Sequence, residues 1–217
     1  MYYTLFAHTT ALQTNSGAAV WAYYATLVPN FVTERVVDTM TNRQKVFWIT
    51  RTAILIAVLL VVQTLSSALG QYVTGSLVNL ILILSVMLSG LFSGLAVAVV
   101  SPVFAFFLGI GPAMPPIVPF IMLGNAVIVL LWHFIAGKAK GNAIVSYCIA
   151  TIVGAVAKFA TLYFGIVQLA IPFILSLPEK QAAVLSVSFS FPQLITASIG
   201  GAVAVILLPL LKKIIKI

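Results

Sequence analysis

The sequence predicts an all-α integral membrane protein with six transmembrane helices and N- and C-termini on the cytoplasmic side. Three observations carry this reading. Hydrophobic residues make up 62% of the chain and charged residues only 6%. The apolar residues fall in runs of about one bilayer thickness, and the cations collect at the ends of those runs. A chain of 217 residues so composed has too little polar surface to cover a soluble core. Hydrocarbon offers no water to backbone amides, so each run must satisfy its own hydrogen bonds as a helix.

The first span is the run 51–70, bounded by Arg51 and Gly70. Ala53, Ala57, Val61, Thr64 and Ala68 recur in it at steps of four and three, so small side chains share one face that can admit another helix. Glycines punctuate 70–75, and a short second span covers 76–88. After a tight return at 89–94, the third span, 93–108, carries the small stripe Gly94, Ala98, Ser101, Ala105 and Gly109. Pro102 is expected to kink it by removing a backbone donor. The Gly- and Pro-rich stretch 109–119 reads as a loop stiff enough to shape a pocket. A fourth span, 119–136, ends at a basic turn, and a fifth covers 143–165. Residues 168–177 are apolar but too short to cross, and 186–191 alternates like a short strand. Pro192 suits the first turn of a sixth span, 192–211. Residues 1–39 do not match this pattern and read as a poorly packed extension or an amphipathic surface segment. Met40, followed by a basic leader, is an alternative start, so the domain division is 1–39 and 40–217.

With six spans, Arg43, Lys45, Arg51, Lys138, Lys140, Lys212, Lys213 and Lys216 share one side, and only Lys180 falls opposite. The positive-inside rule makes the shared side cytoplasmic. The same placement accounts for the net charge of +8 without a nucleic-acid partner. The acidic residues Glu34, Asp38 and Glu179 all lie outside the spans, which disfavours a proton- or cation-coupled carrier. No Gly-x-x-x-x-Gly-Lys-[Ser/Thr] phosphate loop is present, so any ATP would be hydrolysed by another chain. Cys148 reads as a small buried side chain, and Trp132 as an anchor at the inner interface. His133 has no His, Cys or carboxylate at ligand spacing, so no metal site is expected.

Lys158 is the most informative residue. It shares a helix face with Thr151, Gly154, Thr161 and Gly165 and lies roughly 22 Å along the fifth helix, in the outer part of the membrane. One reading is an ammonium that snorkels to the outer headgroups; the other is a cation that faces a cavity and receives an anionic group. Asn79, Asn125 and Gln193 fall at similar depth, with Gln63 past the middle of the first span. A single amide is ordinary interhelical glue. Amides at one depth in four segments point instead to a pocket open to the outside, with Tyr72, Phe120, Tyr163, Phe189 and Phe191 as its aromatic neighbours.

Over residues 44–217 the chain resembles the substrate-binding S components of energy-coupling-factor transporters, the vitamin-uptake machines of bacteria and archaea. The resemblance rests on the six spans, the size without the extension, and an Ala-x-x-x-Ala motif, Ala53 to Ala57, in the first helix. It implies a multi-pass protein of a cell membrane, here expected to be bacterial, that takes a small water-soluble vitamin or related metabolite from outside. The outer halves of helices four to six and the loops between helices one and two, three and four, and five and six would hold the ligand, with 109–119 as one gate. It also implies partners: a transmembrane T component docking on Ala53 and Ala57, with Gly94 and Ala98 as a second part of that surface, and two ATPase subunits. The docked S component would topple in the membrane to deliver its ligand. ATP would be used by those partners and the chain itself would need no cofactor.

Lys158 favours an acid of the pantothenate, biotin or niacin kind. Lysine also hydrogen-bonds neutral ligands, so cobalamin, pyridoxine and riboflavin stay open. An enzyme is disfavoured because no His, Asp or Glu stands within the spans beside Lys158. A membrane assembly protein and a stand-alone facilitator are the alternatives. The first predicts that replacing Lys158 changes no affinity, and the second that uptake survives without an ATPase.

Overall fold

The computed structural model describes residues 42–110, 114–137, 142–175 and 177–215. The extension 1–39, the turn bearing Lys138 and Lys140, Lys216 and the centre of the 109–119 loop lie outside them. Within the described residues the fold is all-α. Helix α1 is Asn42–Ser66, closed by a 3-10 turn Ser67–Leu69. Next come α2, Gln71–Ser89, and α3, Leu91–Phe107. A 3-10 turn Pro115–Ile117 leads into α4, Val118–Trp132, which runs on as a π-helical segment His133–Gly137. Helix α5, Ala143–Leu162, continues through a longer π segment, Tyr163–Ala170, and a last turn Ile171–Phe173. Then follow α6, Glu179–Ser188, and α7, Phe191–Ile215. Five stretches are long and apolar enough to cross a bilayer, and α3 is a shorter apolar helix.

Two predicted breaks are absent. Residues 168–177 are no separate segment, because the fifth helix continues through Gly165 to Phe173. The alternating 186–191 is not a strand: Ser186 and Ser188 turn their hydroxyls back to Ala182 and Val184 four residues earlier, at 2.8 Å and 2.9 Å, and close α6 as a helix. An isolated strand would leave its ladder groups unpaired, whereas a helix satisfies them within itself.

Helix α2 is central, packing on α1, α3, α4 and α7, and α5 fills the space between α4 and α7. Leu82, Ile83, Ile128, Val129, Trp132, Ala150, Ala204 and Leu208 are fully buried where these helices meet. Missing side chains set the separations. A Cβ on Gly200 of α7 would stand 2.6 Å from the Ser76 carbonyl and 2.8 Å from Asn79 Cβ, so α2 and α7 touch backbone to backbone. Connections are short where glycine permits. Gly70 and Gly90 both adopt φ 89°, a conformation that costs other residues energy, and each reverses the chain between helices almost without a loop.

The small stripe of α3 faces inward. Ala98 is fully buried and Gly94 is pressed between Val86 and Val129, so neither lies on an outer docking surface, contrary to expectation. The stripe of α1 has the opposite fate. That helix buries only Thr52, Leu59 and Ser66, one residue every second turn, and leaves Ala53, Ala57, Val61, Thr64 and Ala68 exposed.

Two further expectations are corrected. Trp132 is fully buried, with its ring against Tyr147 at 6.0 Å, and does not sit in a headgroup belt. Cys148, next to Tyr147 on α5, is exposed. On a helix, adjacent positions point about 100° apart, and Tyr147 takes the inward one.

Candidate functional site

At the end of the bundle opposite Arg43, Lys45, Lys212 and Lys213, the helices enclose a cavity of about 490 Å³. Its walls come from the last turns of α1, the first half of α2, the end of α3, the start of α4, the outer part of α5, α6 and the start of α7. Val78, Pro102, Ala105, Phe106, Val118, Ile121, Leu162, Leu185 and Phe189 make the waist apolar. A smaller cluster of Ile117, Leu162, Ile166, Leu185 and Phe189 ties the loop after α3 to α6 and backs this wall.

Lys158 forms the floor. It is 4% exposed, and its ammonium points inward, donating to Asn79 Oδ1 at 2.6 Å and Asn125 Oδ1 at 2.7 Å. The snorkelling reading therefore fails. Energetics agree: inserting a lysine at mid-bilayer costs about 2.5–3.5 kcal/mol, and two hydrogen bonds from a charged donor return about 1.5–3 kcal/mol each.

Each amide is oriented by a further bond. Asn79 Nδ2 donates to Thr196 Oγ1 on α7 at 3.4 Å. Asn125 Nδ2 donates to the Ala98 carbonyl on α3 at 3.5 Å. That carbonyl lies four residues before Pro102, whose ring nitrogen has no hydrogen to give it. One ammonium thereby links α5 to α2 and α4 directly, and to α7 and α3 through the two asparagines.

The mouth is held differently. Gln71 Nε2 and Gln193 Nε2 both donate to the Ser188 carbonyl at the end of α6, at 2.6 Å and 3.2 Å. They pin α6, which carries the wall residues Val184 and Leu185, to the starts of α2 and α7.

Of the residues singled out from sequence, Lys158, Asn79, Asn125, Gln193 and Gln63 all line the cavity. Thr161 does not: its hydroxyl returns to the Ala157 carbonyl at 2.8 Å, which satisfies it within α5. Of the aromatics singled out from sequence only Phe189 contributes to the wall. Tyr72 borders a separate apolar groove, Phe120 packs on Gly165, and Tyr163 stacks on Phe159 with ring centres 5.7 Å apart, close to the exposed Phe191. Gln71, Ser101, Phe106 and Ser188 line the cavity without having been expected to. A glutamine directly after the turn glycine Gly70 was the available signal for Gln71. Among the described residues no group of His, Cys, Asp and Glu could hold a metal ion.

A bundle of apolar helices closed round a cavity with a hydrogen-bonded lysine at its floor is the architecture of a membrane-embedded small-molecule binder. The family model described as ECF transporter, substrate-specific component, matches residues 48–212, and the chain belongs to that family. It is a multi-pass membrane protein and a transporter's substrate-binding subunit rather than an enzyme. No curated protein and no solved structure matches the chain.

Proposed function

We propose that this chain captures a small, water-soluble, anionic vitamin or related metabolite from outside the cell and delivers it inward when docked to a transmembrane T component with two ATPases. The observation that carries the reading is the inward-turned Lys158 ammonium at the floor of the cavity. Family membership supports the transport role. The clustering of cations at the far end supports a cavity that opens outward, because basic residues favour the cytoplasmic side. The exposed small face of α1 supports docking there, since Ala53 and Ala57 let a partner helix approach closely without themselves holding the bundle together.

Native mass spectrometry of the detergent-purified protein tests the capture. A tightly held metabolite is expected to appear as a single adduct whose mass identifies it. Absence of any adduct, repeated after incubation with a panel of vitamins, would return weight to an assembly role. Uptake that persists in cells lacking the ATPases would favour a stand-alone facilitator.

A further inference from the structure

The floor and the mouth of the cavity ask for different chemistry. Lys158 has three N–H donors and spends two on Asn79 and Asn125, which leaves one. Both partners are neutral. The sole carboxylate side chain among the described residues is Glu179, exposed at the start of α6. Lys158 thus has no carboxylate partner among those residues.

Ser101 adds a second donor. It lines the cavity, is 2% exposed, and lies one helical turn from Ala98, whose carbonyl bonds Asn125. Buried hydroxyls elsewhere in the spans have protein partners: Ser76 and Ser85 return to the carbonyl four residues back at 2.7 Å, and Ser93 meets Thr52 at 2.9 Å. The Ser101 hydroxyl has no hydrogen-bond partner among the described residues. At the mouth, Gln71 and Gln193 have each given one N–H to Ser188, which leaves each side chain an oxygen acceptor and a second N–H. Asn79 lies two turns down α2 from Gln71, about 12 Å along the axis. Between floor and mouth the wall is mostly apolar, with Gln63, Ser67 and Thr74 as its polar members on the side of α1 and α2.

Building on the function proposed above, we infer that the substrate is a monocarboxylate roughly 10–12 Å long that enters carboxylate first. Its carboxylate accepts from Lys158 and Ser101 at the floor, its middle lies against the apolar waist, and its uncharged, polar far end hydrogen-bonds Gln71 and Gln193. One cation matches one negative charge, so a phosphate ester, with a second charge left unpaired in hydrocarbon, is rejected.

The test measures binding to the purified full-length chain of three acids and their neutral counterparts: biotin and its methyl ester, pantothenate and pantothenol, nicotinate and nicotinamide. Pyridoxal phosphate, riboflavin and pyridoxine complete the panel. A long acid is expected to bind about 30-fold or more tightly than its neutral partner. Ser101→Ala is expected to weaken that acid about 10-fold. The decisive variant is Asn79→Asp, which keeps an acceptor for Lys158 and supplies the missing charge internally. It should abolish acid binding while thermal unfolding stays unchanged or rises. A purely structural lysine would gain stability from the same change with no loss of affinity for any bound compound.

Equal binding of an acid and its neutral partner, or tight binding of riboflavin or pyridoxine that Asn79→Asp leaves intact, would overturn the carboxylate class while leaving a binding subunit in place. Binding by no member of the panel, together with no adduct in native mass spectrometry, would remove the binding reading as well.

Discussion

Asn125 on α4 donates to the carbonyl of Ala98 on α3, the acceptor that Pro102 leaves without a helical donor. The donor missing from α3 at Pro102 and the orientation of Asn125 are therefore one feature. With Nδ2 committed to Ala98, Oδ1 is the atom turned to Lys158, 2.7 Å away.

This coupling is measurable. Asn125→Leu should destabilise the protein by about 2–4 kcal/mol, because it removes one of the ammonium's two acceptors and strands the Ala98 carbonyl. Adding Pro102→Ala restores a backbone donor to Ala98, so the double variant should recover about 0.5–1.5 kcal/mol relative to the sum of the single changes. A double-mutant cycle from thermal unfolding in detergent gives the number. Strict additivity would separate the two residues.

Gly200 should tolerate no side chain. Gly200→Ala drives a Cβ into the Ser76 carbonyl and Asn79, and is expected to cost about 1–3 kcal/mol and to weaken ligand binding by displacing Asn79. Gly137→Ala, whose Cβ would meet nothing closer than 3.5 Å, is the control and should behave as the parent. Equal unfolding temperatures for the two variants would refute the close α2–α7 contact.

The two small stripes should respond oppositely. Ala57→Phe puts a large ring on the exposed face of α1, so ligand affinity should hold while co-purification with the T component and ATPases falls about tenfold or more. Ala98→Phe overpacks a fully buried position and should lower the unfolding temperature without any partner present. Intact complex formation by Ala57→Phe would place the docking face elsewhere.

Gln71→Ala and Gln193→Ala each remove a bond that fastens α6 over the cavity. Either change should speed ligand dissociation about 5- to 10-fold, and the pair more, with association little altered. Stopped-flow dissociation of a bound ligand is the measurement, and unchanged off-rates would show that α6 does not hold the ligand in.

Spans, cation placement and the polar floor were legible in the sequence, because a lysine or an asparagine inside an apolar run stands out and hydrocarbon makes it costly to leave unpaired. Interhelical relationships were not. Gly94 and Ala98 have the same spacing as Ala53 and Ala57, yet one pair is buried and the other exposed, and only the packing of neighbouring helices decides which. The Pro102–Asn125 relationship depends on how α3 and α4 lie together, and no periodicity encodes that. Alternation at Ser186 to Ser190 resembled a strand because serine serves either form, by pairing across a sheet or by bonding its own helix, and without a neighbouring edge the helix prevails.

Helix α1 is at once the cavity's wall and the bundle's outermost element. Gln63 lines the inside while Thr64, the next residue, looks out to lipid. A partition about 10 Å thick thus separates cargo from membrane, fastened to its neighbours along the single seam of Thr52, Leu59 and Ser66. Whatever leans on that partition from outside shifts the shape available within, and whatever fills the interior stiffens the surface a visitor meets. By thermodynamic reciprocity, a visitor that prefers the loaded form must also tighten the hold on the load, and one that prefers the empty form must loosen it by the same factor.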